Sequence, residues 1–195
     1  MLFKKEFYKI PNNYLNNPIF ADYNKTLKNR IPYKIGVDLE NLCNDPDSMI
    51  LIHRTQLTIP EQINTIGKIF LRGLINNGGN NFHYTLTECS LVPFLLAQLV
   101  ATFDYKGCKG CIIAKVPRAS VGYDGVKSEP IWYIGDDGNY YLIPNYIYGY
   151  AHCENGKITE LIKNPSYGKV IEIAPENRFY DDSALEIDEE VTFSK

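Results

Sequence analysis

The residues best suited to chemistry sit at the end of an apolar run. Met49-Ile50-Leu51-Ile52 reads as a buried strand, and it stops on His53-Arg54-Thr55. A strand that ends this way presents three polar groups at one sheet edge. An arginine offers a two-pronged fork to a phosphate, and His53 or Thr55 can hydrogen-bond a ribose or an amide. Strand alternation also allows a plainer outcome, with one of His53 and Arg54 turned inward to a partner and the other turned to solvent. A second cluster is Tyr84-Thr85-Leu86-Thr87. Hydroxyls at i and i+2 share one face of a strand, and the tyrosine supplies a flat surface on which a ring can stack. Thr85 and Thr87 can equally serve as cross-strand pairs next to a helix cap.

Cysteine chemistry offers a different reading. Cys89 precedes an apolar helical segment, and a helix N-terminus lowers a thiol pKa. His152 and Asn155 follow later, giving the order Cys, His, Asn of papain-like hydrolases. Cys108-Lys109-Gly110-Cys111 is a single CxxC. With no second closely spaced Cys/His pair it falls short of a zinc set, so no metal site is expected and the pair reads as structural. Five cysteines, an odd number, behind an N-terminus with no apolar signal segment, point to free thiols in a reducing compartment. That compartment is a cytoplasm, or a host cytosol reached without a Sec-type signal.

The elements that must position these residues follow from pattern. Residues 1–47 are rich in turn signals such as Asn16-Asn17-Pro18 and Asn44-Asp45-Pro46-Asp47, and read as an arm of short helices or extended pieces. After the first strand, Pro60 fits the opening of a helix whose apolar face is Ile63, Ile66 and Phe70. Gly73 follows as its C-terminal stop and leads into the polar loop Asn76–Asn81. Phe82–Thr87 is β-prone. A buried helix starts near Ser90, runs through Phe94, Leu95, Leu99 and Val100, and closes at Lys106-Gly107. The remainder reads as a β-meander. Cys111–Val116 is one strand. Asp136–Asn139 and Glu154-Asn155-Gly156 are hairpin turns between further strands, and Lys169–Ile173 is the last strand before an acidic tail. Helices placed ahead of a meander define an α+β chain. No GxGxxG or GxxxxGK[ST] is present, so a dinucleotide-binding Rossmann unit or a P-loop is not expected.

Composition narrows the function classes. The chain has 195 residues, 45% of them hydrophobic, enough for a sizeable core without disulfides or metal. Twenty Lys+Arg against 23 Asp+Glu give a net charge of −3, so no global positive field draws nucleic acid or anionic lipid. Nucleic acid stays open only as a substrate. The longest apolar run, Leu91–Ala101, is broken by Pro93 and Gln98 and falls short of the roughly 20 residues of a membrane span, so no membrane partner is expected.

Taken in order, Ile50-Leu51-Ile52-His53-Arg54-Thr55, the helix ending Arg72-Gly73-Leu74, and Tyr84-Thr85-Leu86-Thr87 resemble the front half of the ADP-ribosyltransferase fold. The back half fits the same pattern. Ile112–Pro117 is similar to that family's apolar strand ending in proline, and Leu142-Ile143-Pro144-Asn145-Tyr146-Ile147-Tyr148-Gly149 to its closing strand pair. The resemblance covers about residues 48–163, with residues 1–47 as an arm and 164–195 as a last strand and tail. It implies a split fold of two mostly antiparallel sheets holding NAD between them, a protein substrate, and a toxin or effector of bacterial type. By the same resemblance His53 would bind a ribose or Arg54 the phosphates. Tyr84 would stack on the nicotinamide, Thr55, Thr85 and Thr87 would line the cleft, and Gly73-Leu74 would form the family's Gly-Leu turn. The family's catalytic glutamate has no counterpart here: no Glu stands between Glu129 and Glu154. Glu129 and Asp137 are the carboxylates left for that role, Asp137 also suiting the turn it occupies. An NAD-binding or interaction module without catalysis is the alternative the missing glutamate leaves open.

Overall fold

The computed structural model describes residues 6–56, 59–76, 84–88, 92–120 and 131–177. Short helices come first: α1 (Asn12–Leu15), α2 (Tyr23–Thr26) and α3 (Tyr33–Leu42). Then follow β1 (Ser48–Thr55), α4 (Ile59–Arg72), β2 (Leu74–Asn76), β3 (Tyr84–Glu88), α5 (Val92–Phe103) and β4 (Gly110–Pro117). The chain continues through β5 (Trp132–Ile134), β6 (Tyr140–Leu142), β7 (Ile147–Glu154) and β8 (Lys157–Lys163). The strands form two sheets, one of five in the order β3-β1-β4-β7-β8 and one of three in the order β2-β6-β5, with every pairing antiparallel. This is an α+β protein.

The expected meander is corrected in one respect. β5 and β6 leave the main sheet and pair with β2, a strand that lies where the sequence reads as a run into a loop. Gly73 makes this possible. Its φ of +98° reverses the chain at the end of α4, and its amide donates to the Ile69 carbonyl at 2.8 Å. The expected strand over Lys169–Ile173 is not formed. Val170 there is 93% exposed, so the segment has no apolar face to bury, and burial is what makes a β-prone sequence a strand.

The five-stranded sheet is apolar on both faces, and alternation along each strand sorts the side chains. Ile50 and Ile52 of β1, Cys111 and Ile113 of β4, and Ala151 and Cys153 of β7 face a core shared with Leu95, Leu96 and Leu99 of α5. Tyr8, Ile10, Leu27, Ile31 and Leu39 from the N-terminal segments complete that core. Polar ties hold those segments down. The Arg30 guanidinium donates to the Gly156 carbonyl at 2.7 Å and pairs with Asp104 at 2.5 Å, and the Ile158 amide donates to the Arg30 carbonyl at 2.9 Å. The opposite face carries Leu51, Ile112, Ala114, Val116 and Tyr150, covered by Ile66 and Phe70 of α4 and by Leu74, Trp132 and Leu142 near and within the small sheet.

The buried face of α4 departs from the expected set. Ile63 is 62% exposed, and Gln62 is buried in its stead. The Tyr150 hydroxyl donates to the Gln62 side-chain oxygen and lies 3.1 Å from the Lys109 carbonyl. A polar residue on the inner face is therefore matched to a buried phenol on β7.

Candidate functional site

Where α4 and the small sheet diverge from the end of β1, a cleft of about 410 Å³ opens. Its walls are the end of β1 (His53, Thr55), the inner side of α4 (Gln62, Ile66, Lys68, Arg72), the turn Gly73-Leu74, and Ile112 and Tyr141. The size is that of a small-molecule site. The strand end and the Gly-Leu turn, separate in sequence, thus line one cavity.

Alternation decides the roles of His53 and Arg54. His53 follows Leu51 onto the face covered by α4, and Thr55 does the same. Arg54 follows Ile52 toward the other face: it reaches the rim of the cleft, but its guanidinium carbon lies 3.7 Å from the centre of the Tyr105 ring. Of the neighbouring pair, His53 is the residue seated with the cleft's helix. The backbone of β3 runs beside this end of β1, with Tyr84 opposite His53, Thr85 opposite Ile52 and Thr87 opposite Ile50. The side chains of Tyr84, Thr85 and Thr87 lie outside the described part of the structure, as do Glu129 and Cys89.

Two cations were not singled out by sequence reasoning. Lys68 and Arg72 sit one helical turn apart on α4 and both line the cleft. The signal was present in the stretch ending Arg72-Gly73-Leu74, but only the folded chain shows that both positions, though exposed, border the cleft.

Arg72 and Tyr141 also border a second hollow of about 360 Å³, lined further by Tyr133, Gly135, Asp136, Asp137 and Asn177. The Tyr133 and Tyr141 rings stack at 5.6 Å. Asp137 occupies the hairpin turn before β6, and both of its oxygens are held. Oδ1 accepts the Asn139 amide at 3.0 Å and Oδ2 accepts the Tyr141 hydroxyl at 2.6 Å. The hydrogen bond from Tyr141 is the main reason its carboxyl titrates below the usual carboxylate value, so Asp137 is a fixed negative charge. The same contact, with burial, raises the Tyr141 phenol. Asp137 therefore fills its turn role and still brings a carboxylate to the hollow next to the cleft.

The residues of the hydrolase reading are placed differently. His152 has Nδ1 3.3 Å from the Tyr150 hydroxyl and Nε2 3.4 Å from Glu154. Glu88, the last residue of β3, pairs with Met49 and Met49 with Val116, whereas His152 pairs with Gly110 and Gly110 with Thr55. Glu88 and His152 thus lie on strands separated by β1 and β4, at opposite ends of the sheet. Among the described residues no cluster of three or more His, Cys, Asp or Glu is arranged to hold a metal ion, and no helix is long and apolar enough to cross a membrane.

No family model, curated protein or solved structure matches the chain.

Proposed function

We propose that the cleft binds NAD and that the chain is an ADP-ribosyltransferase-like enzyme modifying a protein target. One observation carries this reading: two hollows meet at Arg72 and Tyr141, with His53 and Thr55 in the first and the Asp137 carboxylate in the second. A dinucleotide has two nucleoside halves joined by a pyrophosphate, and a cation shared by two compartments, Arg72, with Lys68 beside it in the first, suits that shape. Lys68 and Arg72 then hold the phosphates, with Arg72 offering the two-pronged contact. His53 and Thr55 hydrogen-bond a ribose or amide.

In the transfer step the bond between the nicotinamide nitrogen and the ribose carbon breaks, and nicotinamide leaves with the bonding electrons. The ribose carbon becomes cationic, and a nucleophile of the target attacks it and gives up its proton. A nearby carboxylate favours the charged state selectively, because the charge exists only as the bond breaks. Asp137 is a carboxylate of the adjoining hollow, hydrogen-bonded to the Tyr141 that both hollows share.

The test is a thermal-shift titration with NAD together with nicotinamide release. A ligand that binds only the native state raises its stability, so a saturable rise in melting temperature is expected. His53→Ala and Arg72→Ala should weaken that rise without unfolding the chain. Asp137→Asn should keep the rise and lose turnover. Absence of any shift at millimolar NAD with folded protein overturns the reading. Binding with no nicotinamide release in the parent chain selects the non-catalytic NAD-binding alternative.

A further inference from the structure

The CxxC segment is more than a pair of packed cysteines. It forms the link between α5 and β4, and its backbone is fixed at every step. Gly107 takes a φ of +79°, the Cys108 amide donates to the Tyr105 carbonyl at 3.0 Å, and the Lys109 amide donates to the Thr55 carbonyl at 2.9 Å. The Lys109 carbonyl accepts the Cys153 amide at 2.9 Å and lies 3.1 Å from the Tyr150 hydroxyl. Held this way, the two thiols lie near enough for each to shift the other's titration. Their surroundings differ. Cys108 is half-buried, at the surface end of the link, and its Sγ is 3.5 Å from the Gly110 carbonyl. Cys111 is fully buried at the start of β4. Arg54, whose guanidinium rests on Tyr105, supplies positive charge beside Cys108.

We propose that Cys108 and Cys111 form a thiol–disulfide exchange site, with Cys108 as the attacking thiol and Cys111 as the resolving one, acting on low-molecular-weight disulfides of the glutathione class. The division of labour follows from placement. Attack requires a thiolate that a disulfide can reach, and resolution requires a second sulfur already in contact with the first. The neighbouring Cys111 thiol first, then the Gly110 backbone and the charge of Arg54, bring the Cys108 thiol down to about 7, against the opposing pull of partial burial. Burial, followed by the contact with Cys108, pushes the Cys111 thiol well up. Cys153, nearby and pushed up to about 11 mainly by burial, is an inert neighbour.

The Cys108 thiolate attacks one sulfur of the external disulfide, a bond forms between the two, and one glutathione thiolate leaves and is protonated. Cys111 then loses its proton, its sulfur attacks Cys108 Sγ, and the second glutathione leaves as a thiol. The protein dithiol is oxidised by two electrons, and the external disulfide is reduced to two thiols.

The test exposes the full chain to glutathione buffers of graded ratio, traps free thiols with an alkylating reagent, and maps the cysteines by mass spectrometry. The expected product is a disulfide confined to Cys108 and Cys111, reversed by dithiothreitol. With iodoacetamide on the reduced, folded chain, Cys108 should react about tenfold faster than Cys43 or Cys153. In Cys111→Ser a mixed disulfide with glutathione should accumulate on Cys108. In Cys108→Ser, which alters only a half-buried position, Cys111 should stay unmodified. Both cysteines remaining reduced in excess glutathione disulfide, a disulfide that pairs Cys108 elsewhere, or alkylation of Cys108 no faster than Cys43 overturns the proposal. The alkylation rates are read on the unaltered chain, so they decide the matter whether or not either variant folds.

Discussion

Along β1, Ile50 and Ile52 point to the side closed by α5 and the N-terminal segments, while Leu51, His53 and Thr55 point to the side covered by α4 and the small sheet. The first side is closed over the middle of β1, with Ile50 and Leu99 not exposed at all and Ile52 2% exposed. The second is sealed only in its middle, where Leu51 meets Phe70, and opens beyond it. Helix α5 has the apolar surface to lie flat on a sheet. Helix α4 alternates apolar contacts with Gln62, Lys68 and Arg72, and the sheet beside it has three short strands. A cleft forms on the side whose cover is short and polar.

The largest effect expected from this contrast is on the sealed side. Leu99→Ala or Ile52→Ala should cost about 2–5 kcal/mol in denaturant unfolding, since each leaves a cavity that a close-packed core fills poorly. His53→Ala should stay within about 1 kcal/mol. Equal losses at both positions would erase the distinction between the faces. Gly73→Ala comes next. A Cβ there would sit 1.9 Å from the Leu142 carbonyl oxygen, on a residue already at positive φ, so β2 must part from β6. The cost should be at least about 1–3 kcal/mol, with the cleft lost before the main sheet, as read by hydrogen exchange at Leu74 against Ile113. Tyr150→Phe should cost about 1–2 kcal/mol, because it takes the shared phenol away from Gln62 and the Lys109 carbonyl.

The smallest effect belongs to Asp137. Its carboxyl is lowered in the folded chain, so the stability it contributes is present above the unfolded value and is lost as pH falls from roughly 4. Asp137→Asn should lower stability slightly at neutral pH and flatten that acid limb, so that parent and variant converge as pH falls below roughly 4. A difference between parent and variant that persists unchanged at about pH 2 would mean that the turn itself had failed.

Much of this arrangement was legible in the sequence. The apolar run stopping at His53, the all-round apolar helix from Val92, and the two Gly-containing hairpin turns each carry a local signal strong enough to read. Gly73 was legible as a stop but not as the pivot into a strand, because Leu74-Ile75-Asn76 is too short to show a period and is held only by partners far along the chain in β6. The choice between His53 and Arg54 was legible as an alternation and not as an outcome, since the face each takes depends on which side α4 covers. Gln62, Lys68 and Arg72 carry no motif. Their role comes from the angle at which α4 lies on the sheet. The exchange of Ile63 for Gln62 on the inner face follows from a phenol on β7, distant in sequence.

The pairing of β2 with β6 has a consequence for how the molecule assembles. Leu74 finds Leu142 only after the intervening chain has been laid down, so one wall of the cleft is completed late in synthesis. A nascent chain that ends before Tyr140 lacks the strand that pairs with β2 and completes the cleft.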